Sequence, residues 1–206
     1  MSFMRVVMLA VVCAALSFGQ EKGETAKPKP GGKSEGIKVH GHWVLEVRNA
    51  DGTLASRREF ENALLAGGNV GSGMLATVLS GGASVGGWLV QLTFGTFTVS
   101  MTQTGVNCAT LSDLLCNNSL TAVLDGSGTQ LILQGTSPAV GSGGSINIVD
   151  TLLIACNPGI LPAACLALPE GDPSQRRAFF SSRTLAQSLA VQPGQTITAI
   201  VTLSFS

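Results

Sequence analysis

Residues Ile37 to Phe60 read IKVHGHWVLEVRNADGTLASRREF, and this stretch decides the fold class. From Ile37 to Val47 every odd position is apolar or glycine: Ile37, Val39, Gly41, Trp43, Leu45 and Val47. Among the even positions, Lys38, His40, His42, Glu46 and Arg48 are polar and only Val44 is not. A period of two over this length is a strand with one face in a core and the other in water. Asn49-Ala50-Asp51-Gly52 then carries the Asp-Gly signal of a tight hairpin, in which both central residues are expected at positive φ. With Asp51-Gly52 as the loop, Trp43 falls opposite Phe60 on the buried face. Glu46 falls opposite Arg57, and His42 opposite Glu61, on the wet one. Apolar and charge pairings agree on a single register.

Outward from the hairpin, the N-terminal side reads as an export leader. Met1 to Arg5 gives a positive start, and Val6 to Leu16 is an apolar run too short to span a bilayer. Ser17-Phe18-Gly19 puts small residues at the −3 and −1 positions of a cleavage site, so residues 1–19 are expected to be a signal peptide and the mature chain to begin at Gln20. A lipoprotein reading would need a small residue before Cys13, and Val12 stands there. Residues 20–36 (QEKGETAKPKPGGKSEG) lack large apolar side chains and are expected to form a flexible leader to one β-sandwich domain at 37–206. No later apolar run approaches transmembrane helix length, so no membrane span is expected after cleavage.

On the C-terminal side the strands are short and punctuated by Gly, Pro and Ser. Met74 to Leu79 fits a small helix started by Ser72 and stopped by Gly81-Gly82. The glycines before it (Gly67, Gly68, Gly71, Gly73) lack the Gly-Lys-Ser/Thr ending of a phosphate loop. Trp88 to Phe94, Phe97 to Met101, Leu120 to Leu124, Thr129 to Gln134, Ser145 to Ile154, Ala178 to Leu185 and Thr196 to Phe205 read as strands. Asp125-Gly126-Ser127-Gly128 and Pro193-Gly194 make turns. Thr102 to Asn118 reads as a loop with a helical turn near Leu111 to Leu115, and Asn157 to Pro173 as a long loop. The expected class is all-β: an antiparallel β-sandwich, jelly-roll or immunoglobulin-like, with one short helix and two disulfide-stapled loops. A membrane barrel would need aromatic girdles, and the chain has no Tyr and two Trp.

Four cysteines follow the leader: Cys108, Cys116, Cys156 and Cys165. In an exported chain an even count implies disulfides, with three connectivities open. The sequence-local choice is Cys108–Cys116 with Cys156–Cys165. Neither pair has the short C-x2-4-C spacing of structural zinc.

Net charge is zero, which gives no field for nucleic acid. The charges are unevenly spread. Fifteen lie between Glu21 and Glu61, whereas residues 62–206 hold eight: Asp113, Asp125, Asp150, Glu170, Asp172, Arg176, Arg177 and Arg183. Soluble domains average about a quarter charged. So neutral a body is expected to be covered by other copies or by cell-surface partners, or else to present a plain polar surface.

Candidate chemistry is sparse. His40 and His42, the only histidines, share one strand face, and with Glu61 opposite they are the candidate metal ligands, although no metal or other cofactor is expected. No Gly-x-Ser-x-Gly elbow accompanies them. The acidic residues Asp113, Asp125, Asp150, Glu170 and Asp172, needed for a glycosidase pair, all read as turn or loop-edge residues. Arg176-Arg177 beside Phe179-Phe180 is either a sticky corner or a strand start with packed stems. No catalytic residues are expected.

Three runs, GHWVLEVRNADGTLASRREFENAL (41–64), MLATVLSGG (74–82) and RTLAQSLAVQPGQTITAIVTLSFS (183–206), resemble a pattern in uncharacterised exported or phage-tail-like bacterial β-proteins. There a strand–Asp-Gly–strand unit, an Asn-Ala-Leu exit, a small helix and a C-terminal strand recur. The resemblance covers the two ends and not the cysteine loops. It implies a structural, non-enzymatic role and transfers no functional residue.

The functional expectation is an exported, extracellular or cell-surface structural protein. Its copies are expected to assemble in fibre- or pilus-like fashion through the opening strand, with Ile37, Val39, Trp43, Leu45 and Val47 filling pockets of a neighbour. The alternatives are a monomeric adhesion or glycan-binding module and, third, a hydrolase.

Overall fold

The computed structural model describes residues 39–65, 71–108 and 115–206. The signal peptide and flexible leader expected at residues 1–36, with Ile37, Lys38, Gly67, Gly68, Asp113 and most of the helical turn expected near Leu111, lie outside them. Among the described residues, ten strands and two helices follow in the order β1 (Val39–Arg48), β2 (Leu54–Ala63), α1 (Gly71–Leu79), β3 (Ser84–Phe94), β4 (Thr98–Thr102), β5 (Leu115–Asn117), β6 (Thr121–Leu124), β7 (Gln130–Thr136), β8 (Gly144–Cys156), α2 (Pro162–Ala167), β9 (Gln175–Val191) and β10 (Thr196–Phe205). Two five-stranded sheets result, with orders β2-β1-β10-β7-β6 and β5-β4-β3-β8-β9.

The inward residues of both sheets form one apolar core. Trp43, Leu45, Val47, Leu133, Ile197 and Val201 come from the first sheet, and Val90, Leu92, Phe94, Met101, Ile146 and Val149 from the second. Trp43 is fully buried and stacks on Phe60 at 5.8 Å. The opening hairpin has the register expected of it: Trp43 faces Phe60, Glu46 faces Arg57 and His42 faces Glu61. Its loop differs in detail. Only Gly52 has positive φ, at 83°, and the Gly52 amide donates to the Asn49 carbonyl at 2.8 Å. This is the three-residue loop with a left-handed glycine, and the register shifts by one residue just beyond it, with Ala55 left between the Arg48–Leu54 and Val47–Ser56 pairs. Such a loop needs one residue at positive φ, not two.

Three other expectations are corrected. The sheets are not wholly antiparallel, because β5 runs parallel to β4. A second helix, α2, stands in the loop expected from Asn157 to Pro173; Pro162 opens it, at the position where a missing amide hydrogen costs nothing. β9 also runs well beyond Ala178 to Leu185 at both ends. The first helix ends as expected: the Gly82 amide donates to Thr77 and the Gly81 amide to Val78, with Gly81 at φ 76°, the Schellman stop.

Candidate functional site

Both disulfides form in the sequence-local pairing, with Cα–Cα distances of 5.5 Å for Cys108–Cys116 and 5.8 Å for Cys156–Cys165. The second one holds α2 against the outer face of the second sheet. There Val106, Ile154, Cys156, Cys165 and Leu166 make a small core of their own. The approach is close because β3 has no side chains beneath it. A Cβ on Gly86 would lie 2.4 Å from Cys165 Sγ, and one on Gly87 would lie 2.9 Å from Leu166 Cδ2. Two glutamines tie the layer down: the Trp88 amide donates to Gln103 Oε1 at 2.7 Å, and Gln175 Nε2 donates to the Cys165 carbonyl at 2.7 Å.

Of the metal candidates, the fold brings His42 and Glu61 into contact, Nδ1 to Oε1 at 2.8 Å, on the open face of the first sheet. His40 is exposed two residues away, in register with Ala63 and Ser204. Among the described residues no group of three or more His, Cys, Asp or Glu side chains is placed to hold a metal ion.

The acidic candidates are separated by their local duties. Asp125 closes the β6–β7 turn, accepting from the Thr129 and Gln130 amides at 3.0 and 2.9 Å. The Ser127 hydroxyl and these amides hold its carboxyl below the ordinary value. Glu170 pairs with Arg177 at 3.4 Å, and Asp172 accepts from the Ser174 amide at 2.8 Å. Asp150 is the exception to the loop reading: it is central in β8, beside Gln91 of β3 and Ser182 of β9. Burial raises its pKa, a hydrogen bond from Ser182 opposes the rise, and Oδ1 has no partner. At the expected corner Phe180 is buried and Phe179 is exposed, and the mostly buried Arg177 donates from Nε to Gln175 Oε1 at 2.9 Å.

The assembly residues Val39, Trp43, Leu45 and Val47 are buried inside the chain's own core. β1 lies between β2 and β10 and is paired along both sides. The free edges of the two sheets are elsewhere. β2 and β6 bound the first sheet, and β5 and β9 bound the second. Near Leu64 the edges β2 and β9 touch, through a bridge between Leu64 and Ser181 and a 3.0 Å bond from the Leu65 amide to the Phe180 carbonyl.

Away from that corner the two edges enclose a groove that motif reading missed. Arg58 pairs with Leu45 and therefore projects on the core side of β2; Arg183 pairs with Val149 and projects on the core side of β9. Arg183 lies over the Phe60 ring at 5.3 Å and donates to the Glu61 carbonyl. The hairpin register itself carried the signal, because placing Phe60 opposite Trp43 places Arg58 opposite Leu45.

No family model matches the chain, and no curated protein and no solved structure shows significant similarity to it. No described helix is long and apolar enough to cross a membrane, which says nothing about spanning by strands.

Proposed function

We propose that the chain is an exported structural or surface protein that works through its faces and edges rather than by catalysis, and that its copies associate with one another. The observation that carries this reading is the unequal treatment of the two edges of the first sheet. β2 bears Arg57, Arg58, Glu59 and Glu61. Charges on an edge strand resist pairing with a foreign strand. β6, at the other edge, reads Thr-Ala-Val-Leu and carries no charge. Its Val123 and Leu124 are 58% and 63% exposed, one on each face of the strand.

An uncharged apolar strand bonded on one side only is a template for another strand. Every copy offers the same edge while the opposite edge is guarded, so antiparallel pairing of β6 with β6 closes on a two-fold axis. Donating β1 to a neighbour would break the ladders to both β2 and β10, whereas edge pairing breaks none. Two disulfides, and the signal peptide expected at residues 1–19, support an oxidising, extracellular or cell-surface setting. The charge-poor body supports contact with other copies or with cell-surface components, and zero net charge gives no reason to invoke nucleic acid.

Sedimentation velocity over a range of concentrations tests this, on the chain beginning at Gln20 and on its Val123→Lys variant. The native chain dimerises with rising concentration, and the variant stays monomeric with an unchanged melting temperature. A native chain that stays monomeric at high concentration refutes self-association. Equal association of both chains moves the contact to another edge. A monomeric binding module is the second reading, favoured by the arginine-lined groove between β2 and β9.

A further inference from the structure

We propose that the groove between β2 and β9 binds a small organic carboxylate with a compact apolar or ring body. Its two arginines come from facing edges of different sheets, and both point toward the interior side of their strands. Neither is ion-paired with a described residue. Arg183 has the Glu61 carbonyl and the Phe60 ring, whereas Arg58 has no hydrogen-bond partner among the described residues. The nearest carboxylate of the rim, Glu59, belongs to the opposite face of β2, where it pairs with Arg57. Two guanidinium groups thus line one cleft whose one carboxylate among the described lining residues, Glu59, is already paired with Arg57.

An inward charge on an edge strand is by itself a device against edge pairing. β2 and β9 are each an edge strand, so that purpose covers one arginine on each, but it does not account for a cleft of about 180 Å³ between them. The volume falls below the roughly 300–1,000 Å³ usual for drug-sized ligands, so the occupant is compact. The guanidinium fork matches a planar carboxylate with two parallel hydrogen bonds. Phe60 and Leu185 supply an apolar wall that an organic body can cover and a bare inorganic anion cannot. Arg183, already held over Phe60, is preorganised, and Arg58 is free to close on the ligand. The site is on the edge of the first sheet away from β6, so it does not rest on self-association.

The test is a titration of the exported chain, followed by amide chemical shifts, with benzoate and with glucuronate as probes. Benzamide and inorganic phosphate are the controls. Saturable shifts confined to β2 and β9 on adding either carboxylate, with none from benzamide, are expected. Arg58→Gln weakens that binding about tenfold or more, as loss of a charged hydrogen bond does, without changing the melting temperature. Arg183→Lys keeps the charge but loses the fork, and binds more weakly than the native chain. The proposal is overturned if neither carboxylate shifts these amides, if Arg58→Gln binds as well as the native chain, or if phosphate binds as tightly as the carboxylates.

Discussion

Asp150 carries a carboxyl that burial holds above the ordinary carboxylate range. It sits within a strand, is almost fully buried, and leaves Oδ1 without a partner. An unsatisfied buried acceptor costs more than a made hydrogen bond returns. Burial raises its folded pKa above the unfolded one, so the sign is fixed. Below the unfolded pKa, about 4, both states are protonated and Asp150 costs nothing for charge; as pH rises through the raised value, stability is lost. Asp150→Asn therefore raises the melting temperature at neutral pH, and its advantage fades as pH falls below about 4. Melting curves of both chains across this range check it; a variant less stable than the native chain at neutral pH contradicts it. The sequence did not reveal this site, because Asp is common in turns and its burial depends on packing from distant parts of the chain. Arg58 was legible, since parity along β2 follows from the hairpin register alone. Arg183 was not, because bulges in β9 interrupt its alternation.

Elements with an unbroken period of two could be read closely. β1 and β10 bury every second residue, and the turns at Gly52 and Pro193-Gly194 fix where each strand starts or stops. α2 was hidden because its six residues are preceded and followed by prolines, which read as loop. β9 was under-read because it starts on the polar Gln175-Arg176-Arg177 and because Gln187-Ser188 interrupts it before the buried Leu189 and Val191. Gly86 and Gly87, which lie ahead of the strand read from Trp88, form the platform under α2. The Cys156–Cys165 bond is thus both a loop closure and the anchor of a packed layer. Replacing both cysteines with Ser removes about 2–3 kcal/mol on the chain-entropy account of so short a loop. Burial of Leu166 and Ile154 should be lost with it, so amides near Gln175 should exchange faster than in the native chain. Urea unfolding with exchange measured by residue checks this. An unchanged midpoint and unchanged exchange would mean that the glutamine bonds hold the layer without the disulfide.

For the molecule as a whole, the sequence indicated two packed layers of strands and the placing of charge, but not which strands would be edges. Edge position depends on strand order, and strand order depends on which hairpins meet across the core. β1 was expected to be available to a neighbour because its leader is polar and its face apolar. Instead β10 pairs with it along its whole length, and the uncharged edge of the first sheet is β6. The claim that copies meet through β6 is tested most directly by hydrogen exchange at low and high protein concentration. Amides of Thr121 to Leu124 should slow as concentration rises, while those of Val39 to Val47 stay equally protected throughout. Unchanged exchange in β6, or loss of protection in β1 as assemblies form, would contradict the account.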